Sequence, residues 1–186
     1  MSGAPGDPEV RDDELVRRAR RGDREALDLL VSRHHAVAYR VALGQTRDPD
    51  LAGDVTQSAF VKAMGALDRF RGEARFRTWL LSIVTNEARS ALRRQGRRRE
   101  SALDDVGPVR DPATPVDDGV VRAQEAERAR RLMGDLPEKQ RLAVQLRVDE
   151  GLSFREVGEL IGSSEGAARV NYHHGIRKLR EWMNDG

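Results

Sequence analysis

Apolar residues recur along this chain at three- and four-residue spacing and almost nowhere alternate, so the pattern predicts helices and no sheet. A first helix is expected from Asp12 to about Arg21, stopped by Gly22-Asp23. A second, from Arg24 to about Thr46, places Ala26, Leu27, Leu30, Val31, Val37, Val41 and Ala42 on one side. Asp48-Pro49-Asp50 forms a turn able to cap a third helix that runs to about Leu67, with Val55, Ala59, Phe60 and Ala63 inward. The loop Asp68–Glu73 leads to a fourth helix, about Arg75 to Arg94, apolar at Phe76, Trp79, Leu80, Ile83, Val84 and Ala88.

Periodicity then lapses. Between Gly96 and Val116 stand three prolines among scattered charges, the composition of a flexible tether. Helical spacing resumes near Val120 and runs to Met133; Leu136-Pro137 opens another unit, with proline at a helix start, continuing from Gln140 to Val148. The fold class expected is therefore all-α: two small helical domains joined by a flexible linker, with bounds 1–96, 97–119 and 120–186.

The last segment carries the sharpest local pattern. Ser153-Phe-Arg-Glu156 is a capping-box sequence, preceded by Leu152 as a staple. Phe154, Val157, Leu160 and Ile161 form an inward face, Gly162 breaks the helix, and Ser163-Ser164 caps the next one with Glu165 in its first turn. Two short helices joined by a tight glycine turn make a helix-turn-helix, and Gly158 is small enough to let them cross closely. On the second helix Ala168, Tyr172, Ile176 and Leu179 share one face; Gly166, Arg169, Val170 and His173 lie opposite, with His174 and Arg177 to one side. Such a helix reads base edges from its early turns and holds phosphates through its N-terminus and basic flanks, with Arg169 the direct reader. A plain helical hairpin with a solvated face is the alternative.

Composition narrows the chemistry. The formal charge is only +2 although 34% of residues are charged, so DNA binding must rely on placed arginines rather than bulk charge. The absence of cysteine removes disulfides, thiolate metal sites and thiol nucleophiles. Neither a secretory signal nor a bilayer-spanning stretch is expected, which points to a soluble, cytoplasmic protein. Adjacent histidines on a helix diverge, so His173-His174 and His34-His35 are expected at the surface or on phosphate rather than on a metal. No Gly-rich phosphate loop and no His/carboxylate cluster at metal or triad spacing is found, so no catalytic residue, cofactor or metal site is expected.

Two blocks carry a family resemblance. Asp54-Val-Thr-Gln57-Ser-Ala-Phe60-Val-Lys62-Ala, then Leu67-Asp-Arg-Phe70-Arg71-Gly72-Glu73-Ala74-Arg-Phe76-Arg-Thr78-Trp79-Leu80 and Ile83-Val-Thr-Asn86, resemble the second conserved domain of ECF (extracytoplasmic function) sigma factors. So does the lead-in Gly22-Asp23-Arg-Glu-Ala26 with Leu30-Val31-Ser-Arg33-His34. Leu136-Pro137, Gly151–Val157 and the following helix look like the family's fourth domain.

The resemblance implies binding of core RNA polymerase, recognition of a two-part promoter, help in opening it, and control by an anti-sigma factor. It implies that Asp54, Gln57 and Phe60 dock on the polymerase. It also implies that Lys62, Phe70, Arg71 and Asn86 capture an unstacked base of the minus-ten strand, and that Gly166, Arg169, Val170, His173, His174 and Arg177 read the minus-thirty-five element. A flipped base wants an apolar wall, an amide to read its edge and cations for its backbone, so the set is chemically coherent.

Several residues have a second reading. Trp79 and Phe76 sit on the inward stripe and belong more naturally to the core; Phe60 is compatible with either role, and Asp54 with pairing to an arginine. Phe70, flanked by charges in a loop, is the aromatic least explained by packing. Ser58 stands where the family often has an acidic residue, and Arg169-Val170-Asn171-Tyr172 departs from the family's basic-Ser-Arg-Leu. Gly175 lies mid-helix, at about 1 kcal/mol relative to alanine. The competing function is a helix-turn-helix regulator with an N-terminal sensing or dimerisation bundle. It would want its DNA helix rigidly coupled to a dimer axis rather than hung on a long tether.

Overall fold

The computed structural model describes residues 10–101, 128 and 131–184, and among them every regular element is helical. The order is α1 (Asp12–Arg20), α2 (Arg24–Thr46), α3 (Pro49–Gly65), a 3-10 turn (Leu67–Arg69), α4 (Phe76–Ser101), α5 (Glu138–Val148), α6 (Phe154–Ile161) and α7 (Glu165–Asn184). Residues 131–135 are also helical. The expected linker beyond Ser101, and most of the helix expected from Val120 to Met133, lie outside the described residues.

The first body packs α1 to α4, and its helix starts follow from side-chain caps. The Asp23 carboxylate accepts from the Ala26 amide at 3.2 Å. Asp48 accepts from the amides of Asp50 and Leu51 at 3.0 and 3.1 Å, with Pro49 in the first turn where its missing N–H is harmless. The core beneath holds the predicted stripes, including Leu30, Val41, Ala59, Phe76, Leu80 and Val84, all under 2% exposed. Each large side chain so buried contributes about 1.5–3 kcal/mol.

Three features depart from expectation. His34 is buried rather than at the surface: its Nε2 lies 2.7 Å from an Asp12 carboxylate oxygen and its ring 5.3 Å from that of Phe76, tying α1 to α2. Helix α4 continues through Gly96 to Ser101, because the arginines that follow are good helix formers and outweigh one glycine. The third helix stops at Gly65, and Leu67–Arg69 tighten into a 3-10 turn.

The second body packs α5, α6 and α7 through two glycines. A methyl group on Gly158 would meet the Ser163 carbonyl oxygen at 2.9 Å, so the helix-turn-helix crossing requires its absence. Gly175 answers its own helix penalty: a methyl there would stand 2.7 Å from Val144 Cγ2 and 3.3 Å from the Gln140 carbonyl oxygen, where α7 lies directly on α5.

The two bodies dock on one another, and the apolar core runs on from one into the other. The specific contacts are polar. Arg141 donates to the Gly44 carbonyl at 2.8 Å and to Leu136 O at 2.9 Å, while Gln145 donates to Arg40 O at 2.8 Å. A methyl on Gly44 would fall 2.0 Å from Gln145 Oε1, so that flexible side chain would have to shift to admit it. Glu150 sits between Arg40 and Arg77 and hydrogen-bonds both. The Thr78 hydroxyl donates to Glu156 at 2.7 Å, Arg89 to Leu160 O at 3.1 Å, and Arg47 to Gly134 O. Burial, reinforced by the nearby Arg47 charge, pulls the Arg141 guanidinium down to about 10, so it still carries its charge at neutral pH against two carbonyl oxygens.

Candidate nucleic-acid interface

On the second body, the helix-turn-helix is built by its caps. Ser153 Oγ accepts from the Glu156 amide at 3.3 Å and the Glu156 carboxylate accepts from the Ser153 amide at 2.9 Å, a complete capping box. Burial works against the Glu156 carboxylate, but hydrogen bonds from Ser153 and Thr78 outweigh it and hold its pKa below the ordinary value. Gly162 takes a left-handed φ of 65°, and Ser164 Oγ accepts from the Ala167 amide at 3.2 Å to start α7. The turn therefore has both a stop and a start written into it.

Gly166, Arg169, Val170, His173, His174 and Arg177 are all exposed on α7, while Ala168 is fully buried behind them. Arg169 is held rather than free: it donates to Glu165 at 3.1 Å, and its guanidinium carbon stands 4.9 Å from the centroid of the Phe154 ring. Arg147 stands 5.0 Å from the same ring and donates to Leu152 O at 2.8 Å. The result is a cation–aromatic stack, Arg147–Phe154–Arg169, extended by Tyr172 with its ring 5.5 Å from Phe154.

Arg147 was not legible as part of this face. The turn at Gly151, with φ 64°, brings it beside Phe154 across the break between α5 and α6, so no continuous helix links the two. Phe154 itself is half-buried and packs toward the α7 side chains rather than lying wholly inward. An aromatic at the first residue of a capped helix, with arginines before and after it, was the available signal.

On the first body, Asp54 and Gln57 are exposed on α3, and Asp54 makes no ion pair with another described residue. Phe60 is 7% exposed and stacks on His35 at 6.0 Å, so it supports that face from below. A groove of about 280 Å³ runs between α3 and α4 beside Asp54 and Ser58, closed on the α4 side by Glu87, Ala91, Arg94 and Gln95.

At the other end of α3, Lys62 Nζ lies 2.6 Å from Glu87, the neighbour of exposed Asn86. Phe70 corrects an expectation. It is only 9% exposed, edge-on to Phe76 at 5.9 Å and 4.9 Å from Trp79, so packing explains it fully. Trp79 is half-buried and Phe76 buried, as their stripe predicts. Arg20, which the sequence did not single out, donates to Leu67 O at 3.0 and 2.9 Å and also to Phe70 O, pinning the loop from α1. Arg71 projects with its side chain 83% exposed and only a loose 3.8 Å approach to Glu73. Trp79, Ile83 and Asn86 follow at helical spacing, so the Asn86 amide stands about 10 Å along the same face from the aromatic cluster.

These features define an all-helical DNA-binding protein of the helix-turn-helix class, with a second, structurally separate face on the first body. The family model "Sigma-70 region 2" matches residues 30–98, and "Sigma-70, region 4" matches residues 126–179. The chain is 34% identical over 171 residues to the ECF RNA polymerase sigma-E factor of Haemophilus influenzae, covering 87% of this chain and 89% of that one. It is 35% identical over 172 residues to the sigma-E factor of Escherichia coli K12, covering 87% and 88%. The chain belongs to the ECF branch of the sigma-70 family.

Solved structures agree on the fold. CnrH in complex with the cytosolic domain of CnrY superposes with TM-score 0.68 at 24% identity, covering 94% of this chain and 97% of that one. The sigma factor RpoE of Bartonella quintana, solved with the anti-sigma factor NepR, gives TM-score 0.67 at 19% identity, covering 84% and 96%. The protein is thus an alternative sigma factor that binds core RNA polymerase and directs promoter-specific initiation, and the regulator with a sensing bundle is not favoured. No described helix is long and apolar enough to cross a membrane.

Proposed function

We propose that residues 1–96 bind core polymerase and open the promoter, that 97–119, whose first five residues continue α4, tether, and that 120–186 read the upstream element. On the polymerase, Asp54 and Gln57 make the polar contacts from α3, with Phe60 backing the surface. At the minus-ten strand, Asn86 reads the edge of an unstacked base, Lys62 and Arg71 hold its backbone, and Phe70 shapes the wall from within the aromatic cluster. At the minus-thirty-five element, Arg169 reads a base edge, His173 joins it, and Gly166, His174 and Arg177 lie along the phosphates.

The observation that carries this reading is the exposure of both residue sets on separate bodies: the α7 row from Gly166 to Arg177, and Lys62, Arg71 and Asn86 on the first body. The sigma factor RpoE of similar fold is solved with the anti-sigma factor NepR, and in this reading an anti-sigma partner likewise binds this chain and holds it inactive. The factor works in the cytoplasm and performs no catalysis of its own.

Run-off transcription with core polymerase and genomic fragments tests the assignment. Asn86→Ala is expected to impair promoter opening with little loss of core binding. Equal loss of both would count against the assigned role.

A further inference from the structure

Val170 has no structural reason to be valine. It is 54% exposed at the second turn of α7, so more than half of its surface meets solvent, and a β-branched residue on a solvated helix face is a poorer helix former than alanine. Its neighbours are committed elsewhere: Arg169 is held over Phe154, and the Asn171 side chain donates back to Ala167 O at 2.8 Å. Val170 is therefore an uncommitted apolar group among the readers. One turn toward the N-terminus stands Gly166, around whose missing side chain nothing lies within 4 Å. Four residues apart on one helix, the two share a face, so the missing Gly166 side chain leaves an open notch beside the valine.

The major-groove group that fits such a notch is the C5 methyl of thymine, the one apolar feature on any base edge there. An apolar side chain in that place gains nothing from phosphate and lowers salt-dependent, non-specific affinity compared with the basic alternatives. We infer that Val170 is a specificity residue, contacting the methyl group of one thymine in the upstream element through the notch that Gly166 leaves open. This rests on the assignment of α7 as the minus-thirty-five reader. It adds which base is read, and by which chemical group.

The test uses holoenzyme assembled from core polymerase and the full chain. Active promoters are selected from a library randomised over the upstream element, and each thymine in a selected element is then replaced by deoxyuridine, which deletes only the methyl group. One replacement is expected to weaken promoter binding about fourfold, the worth of one buried methyl group. In Val170→Ala the same replacement should have an effect near onefold, while Val170→Thr, which keeps one methyl group, should fall between. Thermal melting of the variants, unchanged for an exposed position, excludes a folding defect. A flat uracil scan on active promoters, or an unchanged thymine dependence in Val170→Ala, overturns the inference and leaves the assignment of α7 standing. Failure to initiate from any fragment overturns both.

Discussion

The Glu150 carboxylate, its side chain only 1% exposed, accepts hydrogen bonds from Arg40 Nη2 at 2.9 and 3.2 Å across 110 residues of sequence. Arg77 completes the arrangement from α4, so one buried anion joins two helices of the first body to the loop after α5. Burying a charge is tolerable only while its partners stay.

This asymmetry predicts an order of effects. Removing both guanidinium groups by Arg40→Ala with Arg77→Ala strands the carboxylate, and should weaken the docked state by about 3–5 kcal/mol. Glu150→Gln leaves two arginines whose side chains are 50% and 33% exposed and can rehydrate, so its effect should be smaller, about 1–3 kcal/mol. Small-angle scattering checks the result: the radius of gyration should rise more for the double variant than for Glu150→Gln. The reverse order would contradict the buried-anion account.

The α5–α7 contact predicts a penalty where helix propensity predicts a gain. Gly175→Ala should raise intrinsic helix stability by about 1 kcal/mol, yet its methyl group meets a stiff Val144 side chain at 2.7 Å. We expect a net loss of about 1–2 kcal/mol from overpacking, seen as a lower denaturation midpoint. Val144→Ala made on the Gly175→Ala background should recover part of it, a positive coupling in the double-mutant cycle.

Arg20 and Arg71 should separate loop position from loop contact. Arg20→Ala removes donors to the Leu67 and Phe70 carbonyls and should destabilise the loop by about 1–3 kcal/mol. Arg71→Ala, at an exposed side chain, should leave thermal stability within about 0.5 kcal/mol while lowering open-complex formation. Melting curves and permanganate footprinting of the same two variants distinguish the outcomes.

Asp12 links stability to pH. Burial opposes its charge, but hydrogen bonds from His34 and Arg33 outweigh that and lower its pKa below 3.8. A lowered carboxylate contributes stability that is fully present above its unfolded pKa and is lost as pH falls through the folded one. Asp12→Asn should therefore be less stable than the parent at pH 7, with the gap closing as pH drops below about 4. Urea titrations of both proteins at pH 7, 5 and 3.5 measure it; a gap that widened toward acid would refute the assignment.

Much of this fold could be read from spacing alone. The stripes of α2, α3 and α4 and both caps of the helix-turn-helix were recoverable, because each rests on contacts within one helix or between neighbours in sequence. What escaped was nonlocal and polar. Thr78, Arg141, Gln145 and Glu150 are buried by docking or beside it, and their types read as solvated surface. His34 misled for the same reason, since its partner Asp12 lies 22 residues away. Phe70 sits among charges in sequence, and only the fold brings Phe76 and Trp79 to it. At the DNA face the readers of α7 were legible as a row. The Phe154 ring that orders Arg169 was not, because it arrives from another helix.

Four of the docking contacts end on main-chain oxygens: Gly44 O, Arg40 O, Leu160 O and Gly134 O. A main-chain acceptor is not encoded by the residue that supplies it, so substitution at Leu160 or Arg40 changes a side chain without deleting that acceptor. The acceptor side of the junction is thereby insulated from mutational drift, and the burden falls on the donors Arg141, Gln145, Arg89 and Arg47. Gly44 differs only in that a side chain there would push the flexible Gln145 amide aside. A substitution at Gly44 therefore acts through the Gln145 donor and not through the main-chain acceptor, which it leaves in place.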